Sequence, residues 1–99
     1  MPEMTAEEAA HRHAKAAVAG NLAQLMSDLT PEALAGLMAQ GGAGGGFQQP
    51  SAYELKLHGQ EGEDYLFDIT YAGPAGSVTL RDRFRLIGEQ WKVVEAKIL

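Results

Sequence analysis

The run GGAGGG at residues 41–46 divides the chain into two parts with different periodicities. Before it, Ala and Leu recur at spacings of three and four residues, the spacing of one face of an α-helix. After it, Val, Ile, Tyr, Phe and Thr tend to alternate with polar residues, a pattern typical of strands with one buried face. Because the helices precede the strands and do not alternate with them, this order predicts an α+β fold with helices packed on an antiparallel sheet.

The glycine run itself is interpreted as a flexible connector between helices and sheet. A phosphate-binding loop of the P-loop type lies between a strand and a helix and carries Lys after its last Gly. Here the glycines follow a helical pattern and lead into FQQP, which contains no Lys.

Capping residues predict three helices within about residues 5–40. The first begins after Thr5, which forms a capping box with Glu8, and ends at Gly20. Two further helix starts follow, at Asn21 with Gln24 and at Thr30 before Pro31. The apolar residues expected to extend the buried surface are Ala10, Ala14, Ala17, Val18, Leu22, Leu25, Met26, Leu29, Leu34, Leu37 and Met38.

Four strands are predicted within about residues 51–98, at 51–59, 64–72, 77–88 and 91–98. The segments GQEGE, AGPAG and GEQ separate them, and each is short and rich in turn-forming residues. Such connections predict a four-stranded antiparallel meander. With 99 residues in total, the helices and the sheet are expected to form one domain over residues 1–99.

The composition excludes several classes of function. The absence of cysteine removes disulfides and thiolate chemistry, and a net charge of -5 argues against nucleic acid as a partner. The basic stripe Arg81, Arg83 and Arg85 is expected to face water or to pair with acids on neighbouring strands. No apolar run reaches the roughly 20 residues of a membrane span, and the N-terminus lacks a signal-peptide pattern, so we expect no membrane contact and a cytoplasmic location.

Asp82 is the residue that least fits its strand. In VTLRDRFRL it shares one face with Val78, Leu80, Phe84 and Leu86, because successive side chains point to opposite faces. An unpaired buried carboxylate destabilises the folded state by several kcal/mol, unless its pKa rises or water reaches it. Asp82 therefore either lies in a pocket, or pairs with a neighbouring arginine, or sits at an irregularity such as a bulge.

His13 is the one histidine on the apolar stripe of the first helix, beside Ala10, Ala14 and Ala17. A histidine in this position is either a hydrogen-bonded structural residue or part of a site. The spacing of the histidines predicts no metal site, since His11 and His13 point in different directions on a helix.

The last strand, WKVVEAKIL, is partly apolar on both faces. In an unbroken strand Trp91 and Val93 lie on one face, while Val94, Ala96 and Ile98 lie on the other. One explanation is that a second subunit covers the outer face of the sheet.

The segments AVAGNLAQLMSDLTPEAL and GEQWKVVEAKIL, in this order around the strands, resemble the NTF2-like superfamily. Its cystatin-like α+β roll includes SnoaL-like polyketide cyclases and ketosteroid isomerases, and the resemblance extends over about residues 5–98. It implies a curved sheet wrapped round a helix, a cone-shaped cavity and a homodimer formed through the outer sheet face.

If such a cavity exists, Asp82 and His13 are the candidate catalytic residues, because low polarity would perturb their pKa values and suit them to proton transfer. The residues expected to line it are Tyr53, Tyr65, Tyr71 and Phe84. A tyrosine there could donate a hydrogen bond to a developing oxyanion. No cofactor and no metal are expected.

Two functions remain open at this point. The first is a homodimeric small-ligand-binding or interaction module without catalysis, whose ligand would be a small apolar molecule. The second is a small enzyme of the isomerase, cyclase or hydrolase type, in which a pocket acid and a histidine act on an apolar substrate. The residues alone leave open whether the chain is an enzyme.

Overall fold

The structure, a computed structural model, describes residues 4–39, 50–74 and 76–99. Its elements, in chain order, are α1 (Ala6–Ala19), α2 (Leu22–Asp28), α3 (Pro31–Ala39), β1 (Ala52–Glu61), β2 (Asp64–Gly73), β3 (Gly76–Ile87) and β4 (Gln90–Ile98). The strands pair in the order β1-β2-β3-β4, all antiparallel. The α+β class and the four-stranded meander are therefore confirmed, whereas the predicted connector at 41–46 lies outside the described residues.

The helix boundaries follow the predicted caps. Thr5 Oγ1 accepts the Glu8 N–H at 3.1 Å, and the Glu8 carboxylate accepts the Thr5 N–H at 2.8 Å, which is the reciprocal bonding of a capping box. Gly20 ends α1 in the left-handed conformation at φ 73°, a backbone geometry that glycine adopts without a steric penalty. The chain can therefore turn sharply into α2.

The connection between α2 and α3 is attached to the edge of the sheet. Leu29 forms a parallel bridge with Val93 of β4, and the Thr30 N–H donates to the Val93 carbonyl at 3.0 Å. Thr30 also caps α3, since its Oγ1 accepts the Ala33 N–H at 3.2 Å. The last turn of α2 is thereby held beside β4.

The core lies between α1, α3 and the inner face of the sheet. Small side chains on α1 allow the helix to approach the strands closely. The buried apolar cluster comprises Ala6, Ala10, Ala14, Ala17, Ala33, Phe67, Ile69, Tyr71, Leu80, Phe84, Val93 and Ala96. Three residues expected to be buried are instead exposed: Leu22 at 71%, Met26 at 53% and Met38 at 59%. They lie on the sides of α2 and α3 that face away from the sheet.

A β-bulge explains why β4 is apolar on both faces. Arg83 pairs with Glu95, but the next residue of β3, Phe84, pairs with Val93, so Val94 has no partner on β3. One extra residue reverses the alternation of side chains. Val93 and Ala96 consequently face the helices together, at 0% and 5% exposure. The pattern therefore does not require a second subunit, and the homodimer stays a prediction.

The outer face of the sheet carries paired charges. Arg81 bonds Asp68 through two nitrogens, at 2.8 and 3.0 Å, and Arg85 bonds Asp64 in the same way, at 2.9 Å for both contacts. Arg83 also donates to Asp64, at 3.0 Å. The hydrogen bond from Arg85 has the largest effect on Asp64 and lowers the pKa of this carboxyl to about 2. The basic stripe thus pairs with acids of the neighbouring strand.

Deleting Val94 is expected to leave the protein cooperatively folded. Without the extra residue, Val93 and Ala96 lie two positions apart, so a regular strand keeps both of them, and Ile98, on the inner face. The control is Val94→Ala, which keeps the residue count and should retain a cooperative transition. Urea unfolding followed by circular dichroism makes the comparison, and loss of the cooperative transition in the deletion variant alone would contradict the assignment of Val94 as the extra residue.

Candidate functional site

Asp82 lies in the middle of the inner sheet face. Its register partners are Phe67 on β2 and Ala96 on β4, and it is 1% exposed. Its Oδ2 atom is buried and has no hydrogen-bond partner in the part of the chain that the structure describes. Since buried polar atoms are nearly always hydrogen-bonded, this carboxyl is an exception that requires an explanation.

His13 lies above Asp82 and connects it to a second acid. The imidazole Nε2 is 3.8 Å from Asp82 Oδ2, and the imidazole Nδ1 is 2.9 Å from Asp28 Oδ2. The ring also packs edge-on against Phe84, with 6.0 Å between the ring centroids. A nitrogen this close to a carboxylate carries the proton and donates, so Nδ1 bonds Asp28 and Nε2 is the nitrogen left to face Asp82. The structure thus brings together the two predicted catalytic residues.

Asp28 is the member of this group that the sequence reasoning missed. Only 3% of it is exposed, and it accepts hydrogen bonds from His13, from Gln24 Nε2 at 2.8 Å and from Arg12 at 3.3 Å. Its position is fixed by the end of α2 and by the attachment of Leu29 to β4. Asp28 follows Leu25 by three residues, on the same helical face, and this spacing is the signal that could have indicated its inward direction.

The two carboxyls at opposite sides of His13 have pKa values shifted in opposite directions. Burial raises the pKa of Asp82 to about 6; the positive charge of His13 opposes this and the negative charge of Asp68 adds to it. Burial also favours a higher pKa for Asp28, but the hydrogen bond and charge of His13, with Gln24 and Arg12, hold that pKa below its ordinary value. Asp28 is thus the ionised partner of the imidazole, and Asp82 is the group that can hold a proton near neutral pH.

Together Asp82, His13 and Asp28 form what we call the proton relay. At 3.8 Å, Asp82 Oδ2 and His13 Nε2 are too far apart for a hydrogen bond but close enough for their charges to interact. The relay can therefore hold a proton on Asp82 in the core and respond to charge placed near Asp28.

The four predicted pocket residues lie on the inner sheet face but have different surroundings. Tyr71 is 4% exposed, and burial, followed by the charge of Asp82, raises its pKa. The Tyr53 hydroxyl is 2.8 Å from His11 Nδ1, and Tyr65 packs edge-on against Trp91. Phe84 is buried against His13 and Phe67. Their role as pocket-lining residues stays a prediction.

An open pocket of about 440 Å³ lies between α1, α2 and the β3–β4 turn. This is within the size range of small-molecule sites. Its described lining residues are Met4, Arg12, Gln24, Ser27, Asp28, Glu89, Gln90, Trp91 and Lys92. None of the four predicted pocket residues is among them. Asp28 belongs both to this pocket and to the proton relay, so a chain of ionisable groups leads from the pocket to the centre of the sheet.

The described ranges contain no group of three or more acidic or histidine side chains suited to hold a metal ion. Within the relay itself, the two nitrogens of His13 diverge toward separate carboxyls and do not converge on one point. In the same ranges no helix is long and apolar enough to cross a membrane.

Comparison with known proteins does not name a family. No family model matches the chain, and no curated protein or solved structure matches it significantly.

Replacing Asp82 with Asn is expected to stabilise the protein at neutral pH. The folded state holds the Asp82 proton up to a pKa of about 6, whereas the unfolded chain releases it near 3.8, so the acid costs stability as pH rises through this window. The gain from Asp82→Asn should be near zero below pH 4 and about 3 kcal/mol at pH 7, since each pKa unit is worth about 1.4 kcal/mol. Urea unfolding at a series of pH values measures it.

The matched control is Asp68→Asn. Asp68 follows Phe67, the register partner of Asp82 on β2. Its hydrogen bond from Arg81 lowers the pKa of Asp68, so this substitution should destabilise the protein at pH 7 and lose its effect as pH falls below 4. If Asp82→Asn destabilised the protein at pH 7 like the control, Asp82 would be a stabilising structural acid.

Proposed function

We propose that the chain is a small-ligand-binding domain of the NTF2-like type, which binds its ligand in the pocket beside Asp28 and couples binding to the proton relay. The observation that carries the proposal is the buried Asp82 oxygen, which has no hydrogen-bond partner among the described residues and lies at the inner end of a chain of ionisable groups that begins at the pocket.

The energetic argument is that a hydrophobic residue at position 82 would stabilise the core more than Asp82 does. Phe67, Phe84 and Val93 surround this part of the sheet and are at most 1% exposed, and an apolar residue in place of a buried charged group is often neutral or stabilising. A costly group in a core of this size is typical of a functional site, where stability is given up for chemistry.

The NTF2-like assignment is supported by the resemblance of the helix turn around Gly20 and of the closing strand after Gly88. The order of three helices and a four-stranded antiparallel sheet is compatible with such a roll. A homodimer through the outer sheet face is part of the same resemblance. Because that face carries the arginine–carboxylate pairs, the interface would be polar.

The second candidate is an enzyme that transfers protons. It is favoured by the raised pKa of Asp82 beside an imidazole, a combination suited to a general base or acid. Against it, a substrate atom must reach the acid, and Asp82 is 1% exposed while Asp28 is the relay residue at the pocket. The geometry therefore supports binding coupled to protonation better than direct catalysis by Asp82.

The test titrates the full chain with four benzene derivatives that differ in their head group: benzoate, phenyl phosphate, benzylamine and benzyl alcohol. At least one should shift the backbone amide signals of α2 and β4 in NMR spectra, with a Kd of about 1 mM, as expected for so small a ligand. Its Kd should differ between pH 5 and pH 7.5, because the charge of the relay changes over this range.

Asp82→Asn provides the control for the coupling. It leaves the pocket lining intact and removes the titrating carboxyl, so any remaining pH dependence belongs to the ligand or to other groups. Absence of binding by all four compounds at 10 mM would contradict the ligand-binding proposal, and an identical pH dependence in both proteins would contradict the coupling.

A further inference from the structure

We infer that the pocket takes a small aromatic carboxylate, whose head group is bound by Arg12 and Lys92 and whose ring lies against Trp91. The inference rests on the proposed function and names the chemical class of its ligand. It rests on a comparison of two sets of pocket groups: those that already form hydrogen bonds within the protein and those that remain available to a ligand.

The acidic groups of the pocket are already engaged. Asp28 receives hydrogen bonds on both oxygens, from His13 on one and from Gln24 and Arg12 on the other. Glu89 at the rim likewise has an interaction partner within the protein. A cationic ligand would have to compete with these donors for its acceptors, so the pocket is poorly suited to an amine.

The basic groups, in contrast, use only part of their donors in contacts with described residues. Arg12 uses one guanidinium nitrogen to bond Asp28, at 3.3 Å, although guanidinium carries five N–H donors. Lys92 gives one of its three protons to the Ser27 carbonyl, at 2.6 Å. The Arg12 side chain is 43% exposed, so its remaining donors are accessible to a ligand. The wall formed by these two residues therefore favours an anion.

Trp91 supplies an apolar surface and no free donor. Its indole N–H donates to the Met4 carbonyl at 2.9 Å, which fixes the ring beside the pocket. Tyr65 packs edge-on against the same ring, with 5.7 Å between the centroids. What remains for a ligand is the aromatic surface of Trp91, which suits a planar ring in an offset or edge-to-face arrangement.

The charge balance favours a carboxylate over a phosphate. Among the described lining residues four side chains are charged, two positive and two negative: Arg12, Lys92, Asp28 and Glu89. A monoanion therefore requires less compensation than a phosphate dianion. The planar guanidinium also matches the two oxygens of a carboxylate.

The test compares the four benzene derivatives on the full-length protein at pH 7.5, and then on Arg12→Gln. Benzoate should bind most tightly, and Arg12→Gln should weaken benzoate about 5- to 10-fold while leaving benzyl alcohol unchanged. A purely structural role of Arg12 would weaken both compounds alike. Lys15→Gln is the matched control, because Lys15 is exposed on α1 and lies outside the pocket, and it should leave both affinities unchanged.

Lys92→Gln keeps the test decisive if Arg12→Gln fails to fold, since it too should weaken benzoate and spare benzyl alcohol. Tighter binding of benzylamine, benzyl alcohol or phenyl phosphate than of benzoate would overturn the carboxylate inference and leave the ligand-binding proposal standing. Equal weakening of benzoate and benzyl alcohol by the variants would also overturn it. Failure of all four compounds to bind would overturn both.

Discussion

The buried carboxyl of Asp82 is the constraint on which the rest of the site depends. An acid in the middle of an apolar sheet face requires a compensating group, and the helices supply one. α1 provides His13 at 3.8 Å, and the end of α2 provides Asp28, which fixes the other nitrogen of the imidazole. Asp28 is in turn held by the attachment of Leu29 to the edge of β4. The relay thus links the consecutive helices α1 and α2 to β3, which is distant from both in sequence.

The two faces of the sheet treat their acids in opposite ways. On the outer face, Asp68 is hydrogen-bonded by two nitrogens of Arg81, and its pKa falls. On the inner face, Asp82 is flanked by Phe67 and Ala96, and its pKa rises to about 6. Burial without a hydrogen bond from a cation distinguishes the second acid from the first. One sheet thereby combines acids that stabilise the fold with an acid poised to titrate near neutral pH.

The sequence predicted those features that depend on local rules. Capping at Thr5 and Thr30, termination at Gly20 and the four hairpin-linked strands all follow from neighbouring residues, and strand alternation placed Asp82 on the inner face. The bulge at Val94 was not predictable, because register depends on the partner strand and not on β4 alone. Asp28 was missed for a similar reason: its direction is set by the contact of its neighbour Leu29 with Val93 of β4, a residue distant in sequence.

The most direct measurement is a carboxyl ¹³C NMR titration of Asp82 in the full chain between pH 3 and pH 8. If burial beside His13 determines its behaviour, the carboxyl signal should titrate with a midpoint near 6. A midpoint at or below the ordinary value of 3.8 would contradict the account. Asp82 would then be ionised throughout the physiological range and could not serve as the proton store of the site.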